Sequence, residues 1–154
     1  MRKFSLLSVL FLIAVFAFGC NKTVNIEPKE PVYDRDLCGR CKMQLADRLH
    51  SAQIVNPEDG TVLFFDDLGC AVLWLEETAP LWKDNAVIYI TDGTDGKWIE
   101  HKNAFYASGY KTPMSFGIAA FDDKGKITDN KVITYDEAVQ IIKDIKAART
   151  HNKK

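Results

Sequence analysis

The sequence predicts an α+β fold, a mainly antiparallel sheet carrying two helices. Three observations predict it. Two stretches follow one plan of strand, glycine-containing turn, strand and helix; the continuous apolar run Val87-Ile88-Tyr89-Ile90 reads as a central strand; and a capped amphipathic helix lies near the end of the chain.

The first stretch begins with a strand over 51–55, turns through Asn56-Pro57-Glu58-Asp59-Gly60, and returns over 61–65. A helix then starts at Asp66 or Asp67 and runs to about Glu77, the two carboxylates reading as N-terminal caps. Leu68, Ala71, Val72 and Leu75 form one face of it, but Leu73 and Trp74 leave little polar surface, so it should be covered on two sides. Cys70 points away from the Leu68, Val72 and Leu75 face; it could approach a metal site, and the commoner case for such a residue is a small buried thiol. After the strand over 86–91, Lys97-Trp98-Ile99 and Ala104-Phe105-Tyr106 are shorter strand candidates. The second stretch has a strand over 117–121, a turn over 122–125, a second strand through Lys126-Ile127 and Val132-Ile133, and a helix from Thr134. Thr134 and Glu137 form a capping box, and Tyr135, Ala138, Val139, Ile142 and Ile145 follow at helical spacing. The shared plan reads as an internal duplication of a small β-β-α unit.

The flanks have other tasks. Arg2 and Lys3 precede an uncharged apolar run from Phe4 to Phe18, suited to a signal peptide and short of the roughly 20 residues of a spanning helix. Ala17-Phe18-Gly19-Cys20 looks like a lipobox, which predicts a signal peptide over 1–19, lipidation of Cys20, and a membrane-anchored protein facing the periplasm or outer surface. Residues 20–35, with Pro28 and Pro31 among polar neighbours, read as a tether, 36–148 as the folded domain and 149–154 as a flexible tail. Losing Arg2 and Lys3 would take the net charge from −1 to about −3, which offers no basic footprint for nucleic acid.

The chemistry concentrates in the cysteines. With Cys20 lipidated, Cys38, Cys41 and Cys70 remain, and three thiols cannot all pair within one chain. In an oxidising compartment the leftover thiol calls for a reason. Cys38-Gly39-Arg40-Cys41-Lys42-Met43 supplies one: two thiols in a turn can face a single ion, and Met43 adds a thioether. Such soft donors favour Cu(I). There is no second Cys-x-x-Cys, which argues against a zinc ribbon. Two other readings of the same residues stand beside this one: a periplasmic thiol–disulfide redox protein using Cys38 and Cys41, and a plain structural disulfide with Met43 in the core. Met114, in the loop Thr112-Pro113-Met114, is a second candidate thioether; His50 and His101 are candidate nitrogen donors. No catalytic base, nucleophile or phosphate loop stands out, so the chain reads as a non-enzyme.

At these residues the chain resembles the NosL family, accessory lipoproteins of nitrous oxide reductase maturation. The resemblance runs from about Asp36 to Phe121 and rests on an ordered set: the box ending at Cys20, Cys38-x-x-Cys41-x-Met43, Phe65-Asp66-Asp67-x-x-Cys70 leading into a Trp-containing helix, Trp98-Ile99 with Ala104-Phe105-Tyr106, and Thr112-Pro113-Met114. It implies a fold of two related α+β halves and a Cu(I) chaperone serving the copper-site assembly machinery of nitrous oxide reductase. The family's motif usually has glycine between the second cysteine and the methionine, where this chain has Lys42.

Overall fold

A computed structural model describes residues 23–128 and 130–152. The signal-peptide and lipobox readings, Cys20 included, lie outside the described residues. No helix among those described is long and apolar enough to cross a membrane.

The architecture is α+β, with two antiparallel sheets and two helices. The first sheet contains β1 (Ala52–Val55), β2 (Val62–Phe65), β3 (Val87–Thr91) and β4 (Trp98–Glu100) in the order β2-β1-β3-β4. Its register is set by apolar partners, Ile54 lying opposite Leu63 on one side and Ile88 on the other. Strand β1 is buried along its whole length, as an inner strand covered on both faces must be. The turn from β1 to β2 closes at Gly60, whose φ of 74° is costly for any residue with a Cβ.

The helix α1 (Leu68–Thr78) follows β2 directly. Leu68, Gly69, Cys70, Ala71, Val72, Leu73 and Leu75 are all buried, so it is covered on more than one side, as its sequence predicts. Each such large apolar side chain contributes about 1.5–3 kcal/mol by leaving water. It ends at Ala79, held at a φ of 39°, immediately before Pro80.

The second sheet contains β5 (Phe105–Ser108), β6 (Ile118–Phe121) and β7 (Lys131–Ile133) in the order β6-β5-β7, and α2 (Tyr135–His151) packs on α1 and β5. The Thr134–Glu137 capping box forms as expected. Two details differ from the sequence reading. Lys126 closes a short 3-10 turn, Lys124–Lys126, instead of opening a strand. The hairpin partner of β6 is β5, and β7 pairs on the far side of β5. The short apolar segment Tyr106-Ala107 is therefore the middle of the sheet, a place that local periodicity cannot reveal.

The sheets meet where Asp92 bridges Ala120. Gly93 N–H donates to the Ala120 carbonyl at 2.8 Å, and the Asp92 carboxylate accepts from the Asp122 N–H and Lys126 Nζ, both at 2.9 Å. Upstream of the domain, the chain already lies against the first sheet. Lys29 exchanges two hydrogen bonds with the buried Gln53 side chain, at 2.9 and 3.1 Å, and Trp98 Nε1 donates to Glu30. The amide of Gln53 thus does what a neighbouring strand's peptide group would do.

Candidate metal centre

The cysteine motif forms a tight hairpin. Cys38 N–H donates to the Met43 carbonyl at 2.8 Å, and Lys42 N–H returns to the Cys38 carbonyl at 3.1 Å. Leu37 and Gln44 pair just outside the turn. Lys42 sits at a φ of 64°, the left-handed region that favours glycine. The lysine there holds, at some strain, a backbone shape that glycine would hold freely. Gly39 N–H docks the hairpin on the Phe64 carbonyl of β2 at 2.7 Å. A Cβ at Gly39 would come within 3.0 Å of the Phe65 ring.

The hairpin lies over the start of α1. There Asp67 is the helix cap, its Oδ1 accepting from Gly69 N–H at 2.8 Å. One carboxylate suffices for the cap, and Asp66 is left for another role, contrary to the reading of both as caps. Cys70 is four residues beyond Asp66, one turn into the helix, on the same side.

Cys38, Cys41, Asp66 and Cys70 converge, their ligand atoms all lying within 4.8 Å of one another. The three thiols are free. Cys38, Cys70 and Asp66 are buried, while Cys41 is partly exposed and opens the group to one flank. Cys41 Sγ is 3.4 Å from Asp66 Oδ2; Asp66 Oδ1 is buried and has no hydrogen-bond partner.

The electrostatics follow from this packing. A hydrogen bond from the Cys70 thiol, reinforced by backbone N–H groups of Asp66, Cys41 and Arg40 and opposed by burial, holds Cys38 well below the usual thiol range. The same Cys38–Cys70 bond, together with burial, pushes Cys70 up. Burial also pushes up Cys41, although the Met43 N–H faces its sulfur. Asp66 is raised to about 6, by burial first and then by the charge on Cys38. Cys38 thus gives up its proton more readily than Cys41 or Cys70, and a metal ion binding all three sulfurs would have to displace the protons of the other two.

Two clamps hold the parts together. Arg40, between the two motif cysteines, makes paired 2.9 Å bonds to Glu77, and Lys146 of α2 reaches the same carboxylate at 2.6 Å. Glu77 lies seven residues, two turns, beyond Cys70 on α1. On the other side, Asp67 Oδ2 accepts from Thr112 Oγ1 at 2.6 Å and from Met114 N–H at 3.1 Å, while Arg149 holds the Met114 and Ser115 carbonyls at 2.9 and 3.0 Å.

The structure thus gathers Cys38 and Cys41 with Cys70, which the sequence left between core and metal site, and with Asp66, which it assigned to a cap. The Asp66-Asp67 doublet was the available signal, since a helix start uses only one of the two. Met43 is 52% exposed on the hairpin, and Met114 packs against the main core from its loop. Neither histidine joins the group: His50 pairs with Asp47 at 2.9 Å, and His101 lies against the Tyr135 ring with centroids 4.8 Å apart.

Fold and site together define a small α+β domain that presents a thiol-rich pocket able to hold a metal ion. Among solved structures it is similar to the copper chaperone NosL from Shewanella denitrificans, with 15% identity, a TM-score of 0.59, and coverage of 71% of this chain and 94% of that one. The protein has the NosL fold, as the resemblance in its sequence implied. No protein-family profile and no curated protein sequence matches the chain.

Proposed function

We propose that the protein is a membrane-anchored metallochaperone that binds Cu(I) and delivers it for maturation of nitrous oxide reductase or another exported copper enzyme. The observation that carries this reading is the convergence of three free thiols within 4.8 Å, on a fold shared with a copper chaperone. Soft thiolates at that spacing suit Cu(I) in low coordination. Cys38, Cys41 and Cys70 hold the ion in this reading. Met43 and Met114 are the thioethers of the site, Met43 on the exposed flank, where a partner's ligand enters before an old one leaves. Copper is cargo here, not a cofactor for catalysis. The box ending at Cys20 supplies the lipid anchor, and the acceptor belongs to the copper-site assembly machinery.

A thiol–disulfide enzyme is the alternative, and burial argues against it. Its attacking sulfur has to be a reachable thiolate. Here the depressed thiol, Cys38, is fully buried, and the more open one, Cys41, is raised.

The test is an anaerobic Cu(I) titration of the reduced chain against a competing chelator, beside Cys38→Ser and Met43→Leu variants. Tight one-to-one binding, lost in the first and weakened in the second, is the expected result. Absent binding, or binding indifferent to Cys38, would overturn the proposal. Binding indifferent to Met43 alone would remove that residue from the ligand set.

A further inference from the structure

Away from the thiols, the start of β5, the end of β7 and the first turn of α2 border a second cavity, of about 560 Å³. It shares no residue with the metal centre. Pockets of about 300–1,000 Å³ are the usual seats of small organic molecules. Rings line this one. His101 and Tyr135 lie with centroids 4.8 Å apart, and Tyr135 and Tyr106 lie 5.5 Å apart. The fold accounts for Tyr106, whose hydroxyl donates to the His101 carbonyl at 2.9 Å.

Other groups around the cavity are left unused by the fold. The His101 side chain makes no hydrogen bond among the described residues. Its Nδ1 is buried without a partner, which leaves Nε2 as the nitrogen that a ligand can reach. Burial, and after it the Lys102 ammonium, pushes His101 below its ordinary value, so the ring is neutral at pH 7. Buried polar groups normally have a partner, and this ring faces a cavity instead. Lys124 forms no ion pair among the described residues, and Lys102 has only a 4.0 Å contact with Glu100. The carboxylate on the lining, Glu137, is engaged in the capping box, where it accepts from Thr134 N–H at 2.7 Å. Phe105 is 43% exposed and Val132 38% exposed at the same place. The cavity thus offers ring faces, apolar surface and two ammonium groups with little to neutralise them. Rings stack on a flat apolar body, and ammonium groups hold an anion by charge-assisted hydrogen bonds.

We infer that this cavity is a binding site for a small aromatic carboxylate, its ring against His101, Tyr135 and Phe105 and its carboxylate on Lys124 and Lys102. Charge favours this occupant over a second copy of the chain. A symmetric pair of copies meeting through this face would set the lysines against themselves. The inference does not depend on what the thiols bind.

The test uses the purified, reduced chain, with naphthoate as the probe and its neutral amide, naphthamide, as the control, followed by NMR of the backbone amides. Saturable shifts centred on residues 101–106, 124 and 132–137 are expected for naphthoate, with naphthamide binding about 10-fold or more weakly. Lys124→Glu lies on an exposed 3-10 turn and should weaken naphthoate by about 10-fold or more. His101→Phe keeps a ring against Tyr135, removes both nitrogens and should weaken it by a smaller factor. Thermal melting of both variants checks that they fold. Absent shifts at millimolar naphthoate, shifts centred elsewhere, or equal binding of acid and amide would overturn the inference. Movement of the same amides on diluting the chain without probe would show that a second copy covers the groove, and would overturn it too.

Discussion

The two halves of the molecule are built from similar parts and do different work. In the first, a hairpin, a strand end and a buried helix bring Cys38, Cys41, Asp66 and Cys70 to one point. In the second, α2 keeps a polar outer surface, with only Ala138 and Ile142 fully buried. Its contributions to the site are braces: Thr112 and the Met114 backbone on Asp67, Phe116 against Gly69, Lys146 on Glu77. The difference teaches how two α+β halves of similar make-up divide their tasks. The half whose helix is enclosed can hold side chains at fixed separations, and the half that faces water holds the enclosing loop in place.

The sharpest way to break that comparison is to exchange ligands between halves. Cys70→Ser should weaken Cu(I) binding by about 100-fold or more, since an inner ligand outweighs the outer-shell groups whose loss costs 10–100-fold. Met114→Leu should cost much less, and chelator competition on both variants measures the two losses. If they are equal, the second half supplies a primary ligand and the division of labour fails.

Next in size is the joint between the halves. Asp92→Ala removes a buried carboxylate that accepts from Asp122, Thr94 and Lys126, and should cost about 2–3 kcal/mol of stability in denaturant unfolding. Burial alone would raise the Asp92 carboxyl, but those N–H groups and the Lys126 ammonium outweigh it and hold the carboxyl below its ordinary value. A depressed carboxyl stabilises the fold above its unfolded value near 4, and that contribution is lost as the pH falls through the folded value. The penalty for Asp92→Asn should accordingly shrink between pH 7 and pH 3; a constant penalty would contradict the ionic latch.

The contact between helix and loop should matter somewhat less. A Cβ at Gly69 would lie 2.1 Å from the Phe116 ring, so Gly69→Ala should cost about 1–3 kcal/mol through overpacking, read as a lowered Tm. The smallest effect has the opposite sign. Lys42→Gly relieves the left-handed backbone at a φ of 64° and should stabilise the chain by up to about 1 kcal/mol, offset by the greater freedom of glycine when unfolded. A loss of stability there would mean that the lysine side chain, bonded to the Gly39 carbonyl at 2.6 Å, outweighs the strain.

What was legible in the sequence was local. Thr134 and Glu137 announce a capping box because both partners lie within one turn, and Val87–Thr91 announces a strand because its apolar residues are contiguous. The pairing of β6 with β5 depends on residues distant along the chain, so no short window shows it. Cys38 and Cys41 were legible as a pair through their spacing. Their junction with Asp66 and Cys70 required the hairpin to dock on Phe64, a contact with no local signature. Asp66 was hidden for a different reason: a carboxylate before a helix already has a sufficient explanation in capping, and only the fold shows that its neighbour has taken that role.

The side-chain amide of Gln53, which holds the Lys29 backbone against β1, also has a mechanical consequence. Any tension reaching the domain from the upstream chain passes first into Gln53 and, through Glu30 and Trp98, into β4. Both anchors precede Cys38. The first sheet takes that load, and the Cys38–Met43 hairpin lies beyond both anchors, so the thiol pocket is spared it.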